Sequence, residues 1–201
     1  MPGPCPEHLR LFVAIRIPAQ VKDKIAAVQT ELRSGLPTAS VRWARAEQFH
    51  LTLRFLGAVV AGQLTALTEA LRSACEGFPP LQLRASGIGF FPGSHSPRVI
   101  WAGINDLEAR LPLLHHAVQS ATREFTNEKL EEAFTGHVTV GRIKQIRARD
   151  SRSLVAAAAR LGSARFGEWT ANQIEIMRSN LLPEGASHTC VTSIPLDFSG
   201  V

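Results

Sequence analysis

His50-Leu51-Thr52-Leu53 recurs as His137-Val138-Thr139-Val140, an imidazole and a hydroxyl two residues apart with aliphatics between them. Side chains alternate faces along an extended strand. Each copy therefore presents His and Thr on one face and two anchoring aliphatics on the other. An imidazole exchanges its proton near neutrality, with an ordinary pKa of about 6.5. In-line displacement at phosphorus needs a base beside the entering oxygen and an acid beside the leaving one, on opposite sides. Two imidazoles facing one cleft meet that need, each well-placed group contributing typically ~10²–10⁴-fold in rate. The Thr hydroxyls can donate to non-bridging phosphate oxygens. On this reading His50 and His137 are catalytic, Thr52 and Thr139 assist them, and no metal or cofactor is required. A lone strand His is usually structural, and Thr is common in strands. It is the joint recurrence of His, Thr and the aliphatic alternation that assigns a function to all four.

Two arginines flank the motifs as candidate substrate ligands. Arg54 has the parity of His50 and Thr52, so a regular strand places it over the cleft. Arg142 has the opposite parity to His137 and faces away unless Gly141 permits a bulge. Arg98 and Arg178 flank other strands and could line the same groove. The other histidines are weaker candidates. His115 and His116 are adjacent on a helix, His8 is near the terminus and His95 sits among turn residues. His188 precedes a strand and could reach a base or ribose. Competing chemistries fit poorly: neither motif has a neighbouring Asp or Glu for a metal hydrolase. There is no Gly-x-Ser-x-Gly elbow and no phosphate loop ending in Gly-Lys-Ser/Thr.

The elements that must hold these residues alternate in type. Leu9–Ile17 reads as a strand and Val21–Leu32 as a helix stopped near Gly35. Val41–Trp43 and Phe49–Leu56 read as strands, the second carrying the first motif. A helix carries Leu64, Leu67, Leu71 and Cys75. Strands at Leu81–Phe91 and Arg98–Ile104 bracket a turn-rich loop. A long helix from Leu107 to Phe125 follows, with Pro112 as a late first turn. His137–Ile143 is the strand of the second motif, Ser153–Leu161 is helical, and strands near Ile174–Leu181 and Thr189–Leu196 close the chain. The equivalent placing of the motifs points to two matched lobes within one unit, residues 1–201.

The composition is that of an ordinary globular chain: 201 residues, 45% hydrophobic and 19% charged. The net charge of +5 is carried mostly by arginine, 18 Arg against 4 Lys. Arginine suits bidentate phosphate contacts, so the balance leans toward an anionic partner such as RNA. Cys5, Cys75 and Cys190 are scattered and odd in number, which fits neither a zinc site nor a disulfide framework. No signal peptide or membrane-length apolar run is seen. The expectation is a soluble, cytoplasmic monomer whose cleft is complete within one chain.

The paired motifs resemble the two-histidine phosphoesterase superfamily. The flanking sequence resembles one branch, the bacterial and archaeal RNA 2′,3′-cyclic phosphodiesterases, also called LigT-like or 2′-5′ RNA ligases. The likeness runs through Arg10–Pro18, Trp43–Gly57, Pro97–Gly103 and Met177–Gly185. Gly136 stands where a Pro commonly precedes the second His, and His188 where an aromatic is usual. The resemblance implies an α+β, bilobal fold: two antiparallel β-sheets forming a central cleft, with helices packed on the outer faces. It implies metal-independent hydrolysis of a ribose 2′,3′-cyclic phosphate to a 2′-phosphomonoester. His50 would be the proton donor to the leaving 3′ oxygen and His137 the acceptor that activates water. The near-equivalent motifs do not by themselves distinguish those roles. Two alternatives stay open: 2′-5′ ligation of tRNA halves, and RNA or nucleotide binding with incidental hydrolysis.

Overall fold

The structure, a computed structural model, describes residues 7–37, 40–131, 133–182 and 185–196. Cys5 and the closing-turn residues Pro183 and Glu184 lie outside the described residues. The chain runs β1 (His8–Arg16), α1 (Ala19–Ser34), β2 (Val41–Trp43), β3 (His50–Val60), α2 (Leu64–Cys75), β4 (Leu81–Phe91), β5 (Val99–Asp106), α3 (Leu111–Ala121), β6 (His137–Ile143), α4 (Ala148–Arg160), β7 (Arg165–Ala171), β8 (Gln173–Leu182) and β9 (Gly185–Pro195). These form two antiparallel sheets, one ordered β3-β1-β8-β9 and the other β2-β6-β5-β4-β7.

The helices cover the outer faces and cross between sheets. Helix α1 leaves the four-stranded sheet yet packs on β7 of the other, and α4 packs on β4 and α1. Helix α3 leaves the five-stranded sheet yet packs on β3, alongside α2. The two lobes are therefore interleaved in sequence rather than being successive halves. A shared apolar core results, in which Leu51 and Leu53 of the first motif join Val138 and Val140 of the second. Burying such side chains contributes roughly 1.5–3 kcal/mol each, so the aliphatic half of each motif fixes which face its His must take.

The expected strands and helices are all present, some with ends moved by about four residues, and three of the differences are instructive. The long helix starts at Leu111, not Leu107, because the Asp106 carboxylate accepts the backbone N–H groups of Glu108 (3.0 Å), Arg110 and Leu111 (2.7 Å). That cap satisfies first-turn donors and sets the start, with Pro112 in the first turn where its missing N–H costs nothing. Helix α4 starts five residues earlier than its apolar stripe, at Ala148, because its first turn is charged and solvated. Strand β7 is an element the sequence pattern does not announce. It pairs with β4 at the sheet edge, and a register shift opposite Ala85 and Ser86 breaks its alternation.

Candidate active site

Each motif begins its strand, β3 or β6, and the two strands contact one another where the sheets meet. His50 and Thr52 share the cleft face with Phe12, Ala14 and Arg16 of β1, through the pairs Ala14↔Thr52 and Arg16↔His50. His137 and Thr139 share it with Gly103 and Trp101 of β5, their cross-strand partners. All four motif residues are partly exposed, while the intervening Leu51, Leu53, Val138 and Val140 are buried.

Both imidazoles are held in the same way. His50 Nδ1 lies 2.6 Å from the carbonyl oxygen of Gln48, and His137 Nδ1 lies 2.8 Å from that of Thr135. A carbonyl can only accept, so Nδ1 carries the hydrogen in both rings and Nε2 is left to exchange a proton. In both cases the acceptor sits two residues before the His, at the entry to the strand. Gln48 is tied down in turn, its side-chain amide donating to the Ala186 carbonyl at the start of β9. Each ring also rests against a phenylalanine: Phe12 at 4.7 Å from His50 and Phe91 at 5.0 Å, edge-on, from His137. Neither phenylalanine stands out in the sequence. Phe12 is hidden because both faces of β1 are apolar, so alternation carries no signal there.

The surroundings of the rings differ. His188 meets both His50 (5.1 Å) and Phe12 (4.9 Å) edge-on. A cavity of about 160 Å³ beside His50 is lined by Arg16, Lys22, Glu175, His188 and Cys190, among others. Burial first, then the neighbouring His188, push the His50 imidazole down to about 4. His50 is thus neutral at physiological pH. Arg16 is held by the buried Glu175 carboxylate, 2.8 Å from its Nη2.

The two flanking arginines exchange the places expected of them. Arg54 is not over the cleft: it is 2% exposed. Its guanidinium donates to the Gln119 Oε1 (2.8 Å) and to the carbonyls of Lys129 (2.5 Å) and Glu128 (2.6 Å). The cause is a bulge. Val13 pairs with Arg54 but Ala14 with Thr52, leaving Leu53 without a partner and reversing parity. Arg54 turns inward and Phe55 turns out, half exposed and 6.0 Å from Phe12. Strand β6 bulges at the equivalent point: Ile100 pairs with Gly141 but Trp101 with Thr139, leaving Val140 over. Gly141 is buried and the exposed Arg142 returns to the face of His137. Arg178 pairs with Leu11 on the core side of the sheet and reaches toward Glu7 (3.8 Å), away from the cleft. His115 is buried in α3, stacked 4.0 Å from Phe134.

The LigT like phosphoesterase family model matches residues 15–101, which include the first motif. An RNA 2′,3′-cyclic phosphodiesterase of Archaeoglobus fulgidus is 30% identical over 177 residues, 88% of this chain and 94% of that relative. One of Methanothermobacter thermautotrophicus is 29% identical over 183 residues, 90% and 95% of the two chains. Among solved structures, a protein of Thermus thermophilus superposes with a TM-score of 0.75 at 25% identity, covering 94% of this chain and 98% of its own. Escherichia coli LigT in complex with 3′-AMP superposes at 0.74, covering 94% and 99%, and at 21% identity shares the fold. With identity of this degree sustained over nearly the whole length of curated relatives, the chain belongs to the LigT-like phosphoesterase family.

Proposed function

We propose that this protein is an RNA 2′,3′-cyclic phosphodiesterase that opens the cyclic phosphate to a 2′-phosphomonoester by two-histidine acid–base catalysis. The observation that carries the reading is the matched pair of imidazoles. Each is locked through Nδ1 to a backbone carbonyl, with Nε2 free and a Thr hydroxyl two residues on along the same face. The relatives described above carry that activity in their names.

In the proposed step a water oxygen attacks phosphorus while its proton passes to Nε2 of His137. The bond from phosphorus to O3′ breaks, and O3′ takes a proton from Nε2 of His50. Thr52 and Thr139 donate to the non-bridging oxygens, and Arg142, on the cleft face, supplies a cation to the phosphate. The direction of transfer rests on the family resemblance. It imposes a condition on His50, which burial and its cationic neighbours keep neutral. The ring must gain its proton together with the anionic phosphate, whose charge offsets the desolvation. The reaction so written involves no metal.

The test is incubation with 2′,3′-cyclic AMP in the presence of EDTA, with the product identified by NMR. A 2′-monophosphate is expected. A 3′-monophosphate would exchange the roles of the leaving oxygens, and loss of turnover on chelation would overturn metal independence.

A further inference from the structure

The two-histidine chemistry leaves unused a cavity of about 590 Å³ that opens beside the second motif. That volume is in the range of small-molecule sites. Its floor is the cleft face of β4 and β5 next to β6. Gly103 is the cross-strand partner of His137 and Trp101 that of Thr139, so the floor begins one strand spacing, roughly 4.8 Å, from the motif.

The Trp101 indole lies flat on this floor. A Cβ on Gly89 would collide with its ring and one on Gly103 would fall 3.3 Å from it, so glycine at both positions makes room for the indole. One ring face rests on glycine backbone, and the residue remains partly exposed in the cavity lining. Beyond it lie the Ser86 hydroxyl and the Asn105 amide, joined to each other only by a long 3.5 Å contact. Arg165, exposed, is the cross-strand partner of Ser86 and stands farther out on the same face. Asp106, an acid in the lining, is occupied in capping α3.

An aromatic platform with hydrogen-bonding groups at its edge offers a base a stacking face and edge partners, and the arginine beyond offers a cation to the phosphate on the far, 5′ side of that nucleotide. We propose that this groove is a second nucleotide subsite, holding the residue adjoining the one that bears the cyclic phosphate. The inference rests on the phosphodiesterase reading for its substrate. It makes the enzyme selective for RNA ends over free cyclic mononucleotides.

The experiment compares kcat/KM for a dinucleotide ending in a 2′,3′-cyclic phosphate with that for 2′,3′-cyclic AMP, in the wild type, W101A and N105E. Wild type is expected to favour the dinucleotide. W101A should lower its kcat/KM by roughly ten- to a hundredfold, the scale of one lost base stack, and lower that of the mononucleotide much less. N105E, at an exposed position, should act the same way by replacing the amide at the base edge with a carboxylate. No dinucleotide preference in the wild type, or equal losses on both substrates, overturns the proposal. Fluorescence keeps the groove testable apart from catalysis. An unreactive dinucleotide ending in a 2′-phosphate should quench wild-type emission but not that of W101F. If neither cyclic phosphate is hydrolysed the phosphodiesterase reading fails, and the quench alone decides whether the groove binds.

Discussion

Strands β3 and β6 carry the same four-residue motif, the same Nδ1 anchor and the same bulge after the Thr, yet they differ in what lies behind and beside them. The residue two beyond the Thr turns inward in both. In β3 it is Arg54, whose guanidinium fills a polar recess formed by Gln119 and the 128–129 carbonyls. In β6 it is Gly141, because β2 covers that point: an added Cβ would lie 2.8 Å from Val41 Cγ1 and 3.0 Å from the Trp43 ring. The following residue turns outward, Phe55 in one strand and Arg142 in the other. One backbone device thus delivers an aromatic to one wall of the cleft and a cation to the other. The rings differ as well. His50 is packed by Phe12 and His188 and held near 4, while the ring contact of His137 is with Phe91. Equivalent motifs become inequivalent groups through their neighbours.

The comparison breaks most directly at the imidazoles. His50→Ala and His137→Ala should each lower kcat by ~10²–10⁴-fold on 2′,3′-cyclic AMP, measured by product release. Robust turnover by both variants would remove the two-histidine reading.

Next in size is Arg54→Ala, which strands buried carbonyls and should cost on the order of 3 kcal/mol in urea unfolding. If it instead leaves stability intact and raises KM, the inward placing of Arg54 is wrong. Gly141→Ala probes the matching slot. Crowding of Val41 and Trp43 should cost about 1–3 kcal/mol by the same measurement.

The environments can be separated by pH. The His50 pKa is depressed in the folded state, so the unfolded chain binds more protons between its ordinary value of about 6.5 and the folded value of about 4. Stability should therefore fall as pH drops from near 6.5 toward 4, and His50→Gln should flatten that fall. His188→Phe keeps a ring against His50 but removes the charge that lowers it. The His50 titration seen by NMR, and with it the alkaline limb of the rate profile that a general acid sets, should move upward. An unmoved titration would remove His188 from the causes and leave burial as the main one. The smallest effect expected is Arg142→Ala, a several-fold rise in KM with unchanged stability, since the side chain is exposed.

Much of this site is legible without coordinates. Period-two alternation locates both motif strands and the face of each His and Thr, because burying Leu51, Leu53, Val138 and Val140 leaves the other face no choice. The same parity fails two residues later. A bulge is a mismatch between two strands, and only the partner strand reveals which residue is left unpaired. Gly141 carries a hint of it; Leu53 carries none.

Other features are beyond the reach of a linear reading. The partners of Arg54 lie some seventy residues away in the chain, and those of His50 come from β1 and β9. The crossing of α1 and α3 between sheets leaves no local trace, since a helix stripe shows that a face is buried but not against what. The sequence by itself determined two imidazole–hydroxyl pairs on strands, because alternation and hydrophobic burial act over a few residues. Tertiary structure alone decided which arginine faces the cleft, which ring is desolvated and what flanks the second motif. Register, packing and dielectric surroundings are properties of pairs of segments, and no single segment encodes them.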